Sequence, residues 1–132
     1  MRFKGDIIIT DPSYVCKDGD WEKCRHGERM DILGIKNYMC IETIFGDWSC
    51  TTFNSDTNEP IGKFCADSGM VGVFLLNEVL SYDLDYNDYE KIPHTTTLIK
   101  SFEGDVEFIV ENNGVLVVGK GNINFIGRQT GL

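Results

Sequence analysis

Residues 64–76, Phe64-Cys65-Ala66-Asp67-Ser68-Gly69-Met70-Val71-Gly72-Val73-Phe74-Leu75-Leu76, form the longest nearly unbroken apolar run of the chain. Only the small polar step Asp67-Ser68-Gly69 interrupts it. A run that is apolar at successive positions suits strands covered on both faces, because neighbouring side chains of a strand point to opposite sides. The reading is two buried strands, joined or re-aimed by a tight turn, with other strands packed on them. A chain of 132 residues is the size of one domain, 1–132. Such a domain buries about two thirds of its unfolded surface and folds without cross-links.

The flanking sequence carries the same period. Asp6-Ile7-Ile8-Ile9-Thr10 is a β-branched run that Asp11-Pro12 must end, since proline has no N–H for the next ladder bond. Asp18 stands as a cap before one or two helical turns over 18–24, and Asn77 before another over 77–80. Tyr38-Met39-Cys40-Ile41-Glu42-Thr43-Ile44-Phe45, then Gly46-Asp47, then Trp48-Ser49-Cys50-Thr51-Thr52-Phe53 reads as a hairpin with a type II′ turn. Residues 54–60 are dense in turn formers and read as a loop. From Thr95 the pattern is a meander, with turns expected at Glu103-Gly104-Asp105 and Asn112-Asn113-Gly114 and strands over 106–110, 115–120 and 122–126. Eight or nine strands with one or two short helices make a mainly β domain, an antiparallel barrel or sandwich.

Charge and cysteines narrow the function classes. With 21 acids against 12 bases the net charge is -9, which argues against direct nucleic-acid binding and favours a protein partner with a basic surface. No apolar window approaches the roughly 20 residues of a membrane span, and Met1-Arg2-Phe3-Lys4-Gly5-Asp6 has no secretory core, so the expected location is cytoplasmic. Cys16, Cys24, Cys40, Cys50 and Cys65 spell no Cys-x-x-Cys. Cys40, Cys50 and Cys65 read as small core hydrophobes. Cys16 and Cys24 with His26 fit no metal-ligand spacing.

Two sets of residues are candidates for a site. Asp11, Asp47 and Asp67 stand at strand ends, where carboxylates converge on a divalent cation or act as an acid–base pair, with Tyr14 or His94 assisting. Each also has a structural role open to it: an Asx-turn for Asp11, turn chemistry for Asp47, and a compensated buried charge for Asp67. The second set lies in 81–91, the most acidic and aromatic stretch. There Tyr82, Tyr86 and Tyr89 share a side if the segment is helical, ringed by Asp83, Asp85 and Asp88. Aromatic anchors ringed by charge suit a protein-binding surface, whereas core tyrosines beside solvated acids are the structural alternative. An EF-hand is excluded, because Asp88 replaces the turn glycine and His94 falls where the closing glutamate belongs. Gly119-Lys120-Gly121-Asn122 lacks P-loop spacing and reads as a turn.

Four motifs carry a resemblance. They are Ile7-Ile8-Ile9-Thr10-Asp11-Pro12-Ser13-Tyr14, Gly46-Asp47-Trp48-Ser49-Cys50-Thr51-Thr52-Phe53, Phe64-Cys65-Ala66-Asp67-Ser68-Gly69, and the ending Gly119-Lys120-Gly121-Asn122-Ile123-Asn124-Phe125 with Gln129-Thr130-Gly131-Leu132. Together they resemble a group of small phage and bacterial proteins with an Asp-Pro-x-Tyr start, a Gly-Asp turn and an Asp-Ser/Ala-Gly centre. The resemblance implies a mobile-element or host-defence setting and brings no activity with it. Three functions are therefore expected in turn. The first is an acidic binding protein, in that setting an inhibitor of a host or defence protein, needing no cofactor. The second is a hydrolase of small molecules or nucleotides using Asp11, Asp47 and Asp67 with a divalent cation. The third is a protein that sequesters a small ligand.

Overall fold

The structure, a computed structural model, describes residues 1–15, 35–43, 49–66, 69–81, 96–112 and 114–130. Among the described residues there are eight strands: β1 (Arg2–Thr10), β2 (Tyr38–Glu42), β3 (Ser49–Asn54), β4 (Pro60–Cys65), β5 (Met70–Leu75), β6 (Thr97–Glu111), β7 (Gly114–Gly121) and β8 (Phe125–Gln129). A 3-10 turn covers Pro12–Tyr14, and one short helix, α1, covers Leu76–Ser81. The strands form one sheet in the order β2-β5-β1-β6-β7-β8-β3-β4, with every pairing antiparallel. The chain is mainly β, as its alternating pattern requires.

Of the barrel and the sandwich expected, the sandwich is the one that fits. β2 and β4 stand at opposite ends of the order and do not pair, so the sheet is not a closed barrel. Its far end folds back over its middle instead, bringing β4 against β6 and β1. Thr52 of β3 hydrogen-bonds Thr97 of β6 through their hydroxyls at 3.1 Å, although β7 and β8 lie between those strands in the ladder. Gly62, opposite Thr52, makes room there: a methyl group on it would lie 3.2 Å from the Thr97 hydroxyl. The enclosed core draws Phe3, Ile7 and Ile9 from β1, Cys50 from β3, Phe64 from β4, Val71 and Val73 from β5, and Phe102 and Phe125 from β6 and β8.

The central run does what its composition demands. Phe64, Ala66, Met70, Val71, Val73 and Phe74 are all buried. The two strands within it do not pair with each other: β4 joins β3 at one edge, and β5 runs between β2 and β1. The Asp67-Ser68 step itself lies outside the described residues. In β1 the triplet Ile7-Ile8-Ile9 is buried on both sides. Ile7 and Ile9 enter the enclosed core, while Ile8 meets a second cluster of Val15, Ile35, Phe74, Leu76 and Val79. Glu78 of α1 ties that layer down by accepting from the backbone N–H groups of Lys36 (2.9 Å) and Asn37 (3.0 Å).

Two expectations fail for clear reasons. The strands expected to pair across Gly46-Asp47 do not: β2 pairs with β5, and β3 pairs with β4 and β8. The turn-rich 54–60 segment is what joins a hairpin, with Asn54 Oδ1 accepting from the N–H groups of Asp56 (2.9 Å) and Thr57 (3.1 Å). Nor is Glu103-Gly104-Asp105 a turn, since β6 passes straight through it. The irregularity in β6 lies earlier, at a bulge where Ser101 has φ 51°. Asp6 accepts from the Ser101 N–H (2.8 Å), and the Asn122 amide donates to the Ser101 carbonyl (2.7 Å). Such a bulge sharpens strand bending, which a sheet folding over itself needs.

The Thr52–Thr97 pair gives a direct test of that fold-back. Thr52→Val alone leaves the Thr97 hydroxyl buried without this partner and should cost about 1–3 kcal/mol, while the double change Thr52→Val/Thr97→Val should recover most of it. Chemical denaturation of the four proteins of the cycle checks this. Strictly additive losses would mean the two hydroxyls do not depend on each other.

Candidate functional site

Of the three strand-end aspartates, the described residues contain Asp11. It follows β1 and is fully buried, and its carboxylate accepts the Ser13 N–H at 2.8 Å, capping the Pro12–Tyr14 turn. That is the Asx role open to it from sequence. The backbone closes the turn with Tyr14 N–H donating to the Asp11 carbonyl at 3.0 Å. Asp47 and Asp67 lie outside the described residues, as do His94 and the Tyr82, Asp83, Asp85, Tyr86, Asp88 and Tyr89 set. Among the described residues no three His, Cys, Asp or Glu side chains group as metal ligands would, and no helix is long and apolar enough to cross a membrane.

Of the three cysteines expected in the core, Cys50 alone is buried, while Cys40 and Cys65 are half-buried. Burial pushes the Cys50 thiol from 9.0 up to about 12, and the nearby Cys65 adds to the rise. Because the folded value is raised, the associated stability is complete below 9.0 and is lost as pH climbs toward about 12. Unfolding curves across that window should therefore fall more steeply for the native chain than for Cys50→Ala. Parallel profiles would contradict the burial of this thiol.

A different surface emerges from the register. Val118, Ile126 and Phe53 sit directly opposite one another across β7, β8 and β3, with Pro60 of β4 next in line. Their chain neighbours Val117, Phe125, Gly127 and Thr52 are buried inside, so the row itself lies on the outer face. Beside it Ile109 faces Leu116 across β6 and β7. Leu116, Val118, Ile126 and Phe53 are half-buried and belong to neither hydrophobic cluster. Ile61 and Ile109 are exposed, and Val110, near the tip of the β6–β7 hairpin, is 61% exposed. The Arg128 guanidinium lies 5.1 Å from the centre of the Phe53 ring, a cation held over an outward-facing aromatic.

No known protein family, curated protein or solved structure matches this chain. The geometry must speak for itself. The outer sheet face thus carries a continuous apolar row rimmed by long charged side chains. Sequence reasoning missed it, although a hint was present. Val115-Leu116-Val117-Val118 is apolar in both phases, which asks for cover on both faces of β7, whereas Glu103, Asp105 and Glu107 alternate cleanly with core residues in β6.

Proposed function

We infer that this domain acts by binding another protein. The observation that carries the reading is the half-buried apolar row Val118–Ile126–Phe53 on the outer face, which joins neither core. Contiguous apolar surface of this kind on a folded domain marks interaction sites. The resemblance to phage and bacterial proteins supports a setting in which such binding inhibits a host or defence factor. In that setting the overall charge of -9 disfavours nucleic acid and other polyanions as the partner.

The test compares the native chain with Val118→Asp/Ile126→Asp, and with the milder Ile126→Thr should the pair fail to fold. Each is immobilised and exposed to a bacterial lysate, and the retained proteins are quantified by mass spectrometry. At least one protein should be retained by the native chain, be lost with the folded variant, and rebind when purified. Identical retained sets for native and variant proteins would overturn the reading.

A further inference from the structure

Acids outnumber bases by 21 to 12 over the whole chain, yet β3, β4, β7 and β8 contain not one Asp or Glu. Their charged residues are Lys63, Lys120 and Arg128, and all three are exposed. The register sets them around the apolar row. Arg128 lies opposite Thr51, which faces Lys63, on one flank, while Lys120 follows Val118 by two positions on the other. Among the described residues, acids stand at the borders: Asp105 opposite Lys120 and Glu107 opposite Val118 on β6, and Glu59 and Asp56 in the β3–β4 turn, the latter bonded to Asn124 at 3.1 Å. The face thus has the opposite sign to the molecule that carries it.

We propose that the outer face of β7, β8, β3 and β4 docks an acidic protein segment with an apolar anchor, the anchor lying on Val118, Ile126 and Phe53 and its carboxylates meeting Arg128, Lys63 and Lys120. This rests on the protein-binding reading above and names the partner's chemistry. Charge complementarity selects the occupant. A basic segment would meet three cations and no acid on these strands, whereas an acidic one finds Arg128 and Lys63 on one flank of its anchor and, on the other, Lys120 with Asp105 opposite it. Arg128 is suited to the contact, since a guanidinium stacked on a ring still presents planar N–H donors to a carboxylate. Nucleic acid would also find cations here, but the face offers one aromatic ring for stacking and the molecule around it repels phosphate.

The experiment pans a random peptide display library against the folded full-length chain and measures the enriched peptides, with a short oligothymidylate alongside, by fluorescence polarisation. Enriched sequences should combine Asp or Glu with Leu, Phe or Trp, and should bind less tightly as salt rises. Lys63→Glu/Arg128→Glu, two exposed positions, should weaken them about tenfold or more, and Ile126→Thr by a similar factor. A far-ultraviolet spectrum and melting curve confirm that each variant is folded, and Arg128→Ala replaces the double reversal if it is not. Enriched peptides that are basic, or that bind the variants unchanged, would overturn the assignment of this face while leaving a binding domain in place. Binding of the oligothymidylate alone would overturn it in favour of a nucleic-acid surface. A library yielding no binder would overturn both the assignment and the reading beneath it.

Discussion

Replacing Gly104 with alanine is expected to cost about 3 kcal/mol or more of folding stability, near the upper end for a single added methyl. The reason is space, since this glycine sits within β6 without a positive φ. Gly104 pairs directly with Gly121 of β7. A methyl group on it would drive into the Lys120 carbonyl oxygen and lie 2.6 Å from the Gly121 Cα. Both obstacles are backbone, so no rotamer change relieves them and the ladder itself must part. Gly121→Ala should behave alike, its methyl meeting the Glu103 carbonyl and lying 2.8 Å from the Gly104 Cα. Gly5 is the control. It has φ +132° with its nearest obstacle 3.7 Å away, so Gly5→Ala is penalised by backbone strain alone, about 1–2 kcal/mol. Urea unfolding of the three variants checks the ranking, and a Gly104→Ala protein no less stable than Gly5→Ala would show that β6 and β7 are not this close.

That glycine also shows how much of the fold could be read in advance. Glu103-Gly104-Asp105 has turn composition, and sequence alone cannot separate a glycine needed for a turn from one needed for close approach. The buried strands were legible because their composition admits little else: Ile7-Ile8-Ile9 and 70–74 are apolar in both phases and proved to be covered on two sides, whereas Phe64-Cys65 ends an edge strand and its Cys65 is only half-buried. Partner choice was not legible. β2 followed by Gly46-Asp47 and β3 has the local form of a hairpin, yet long-range packing sends β2 to β5 and β3 to β8. The candidate face was hidden for the same reason. Val118, Ile126 and Phe53 are far apart in sequence and become neighbours only once the register is fixed. Asp11, by contrast, was readable from Asp-Pro alone, and its carboxylate makes the turn contact that such a pair favours.

Gly119 and Phe125 should behave as one unit, and this coupling is the second large effect expected. They face each other across β7 and β8, and the Phe125 ring occupies the space a side chain at 119 would need: a methyl on Gly119 would come within 2.6 Å of Phe125 Cδ1 and closer still to the next two ring carbons. The ring cannot swing aside freely. It is wholly buried and meets Phe102 edge-to-face at 5.4 Å, near the middle of the enclosed core. Phe125→Ala should therefore cost about 3–5 kcal/mol, the usual loss for a buried aromatic that leaves a cavity. Gly119→Ala should cost about 1–3 kcal/mol, because the added methyl displaces a packed ring. In the double variant the methyl fills part of the space the ring vacated, so the two losses should fall short of their sum by about 1–3 kcal/mol. Denaturation midpoints and slopes for all four proteins measure the coupling. Full additivity would mean that glycine is kept at 119 for some reason other than this ring, and the packing that lets β7 and β8 present an outer face would then need another support.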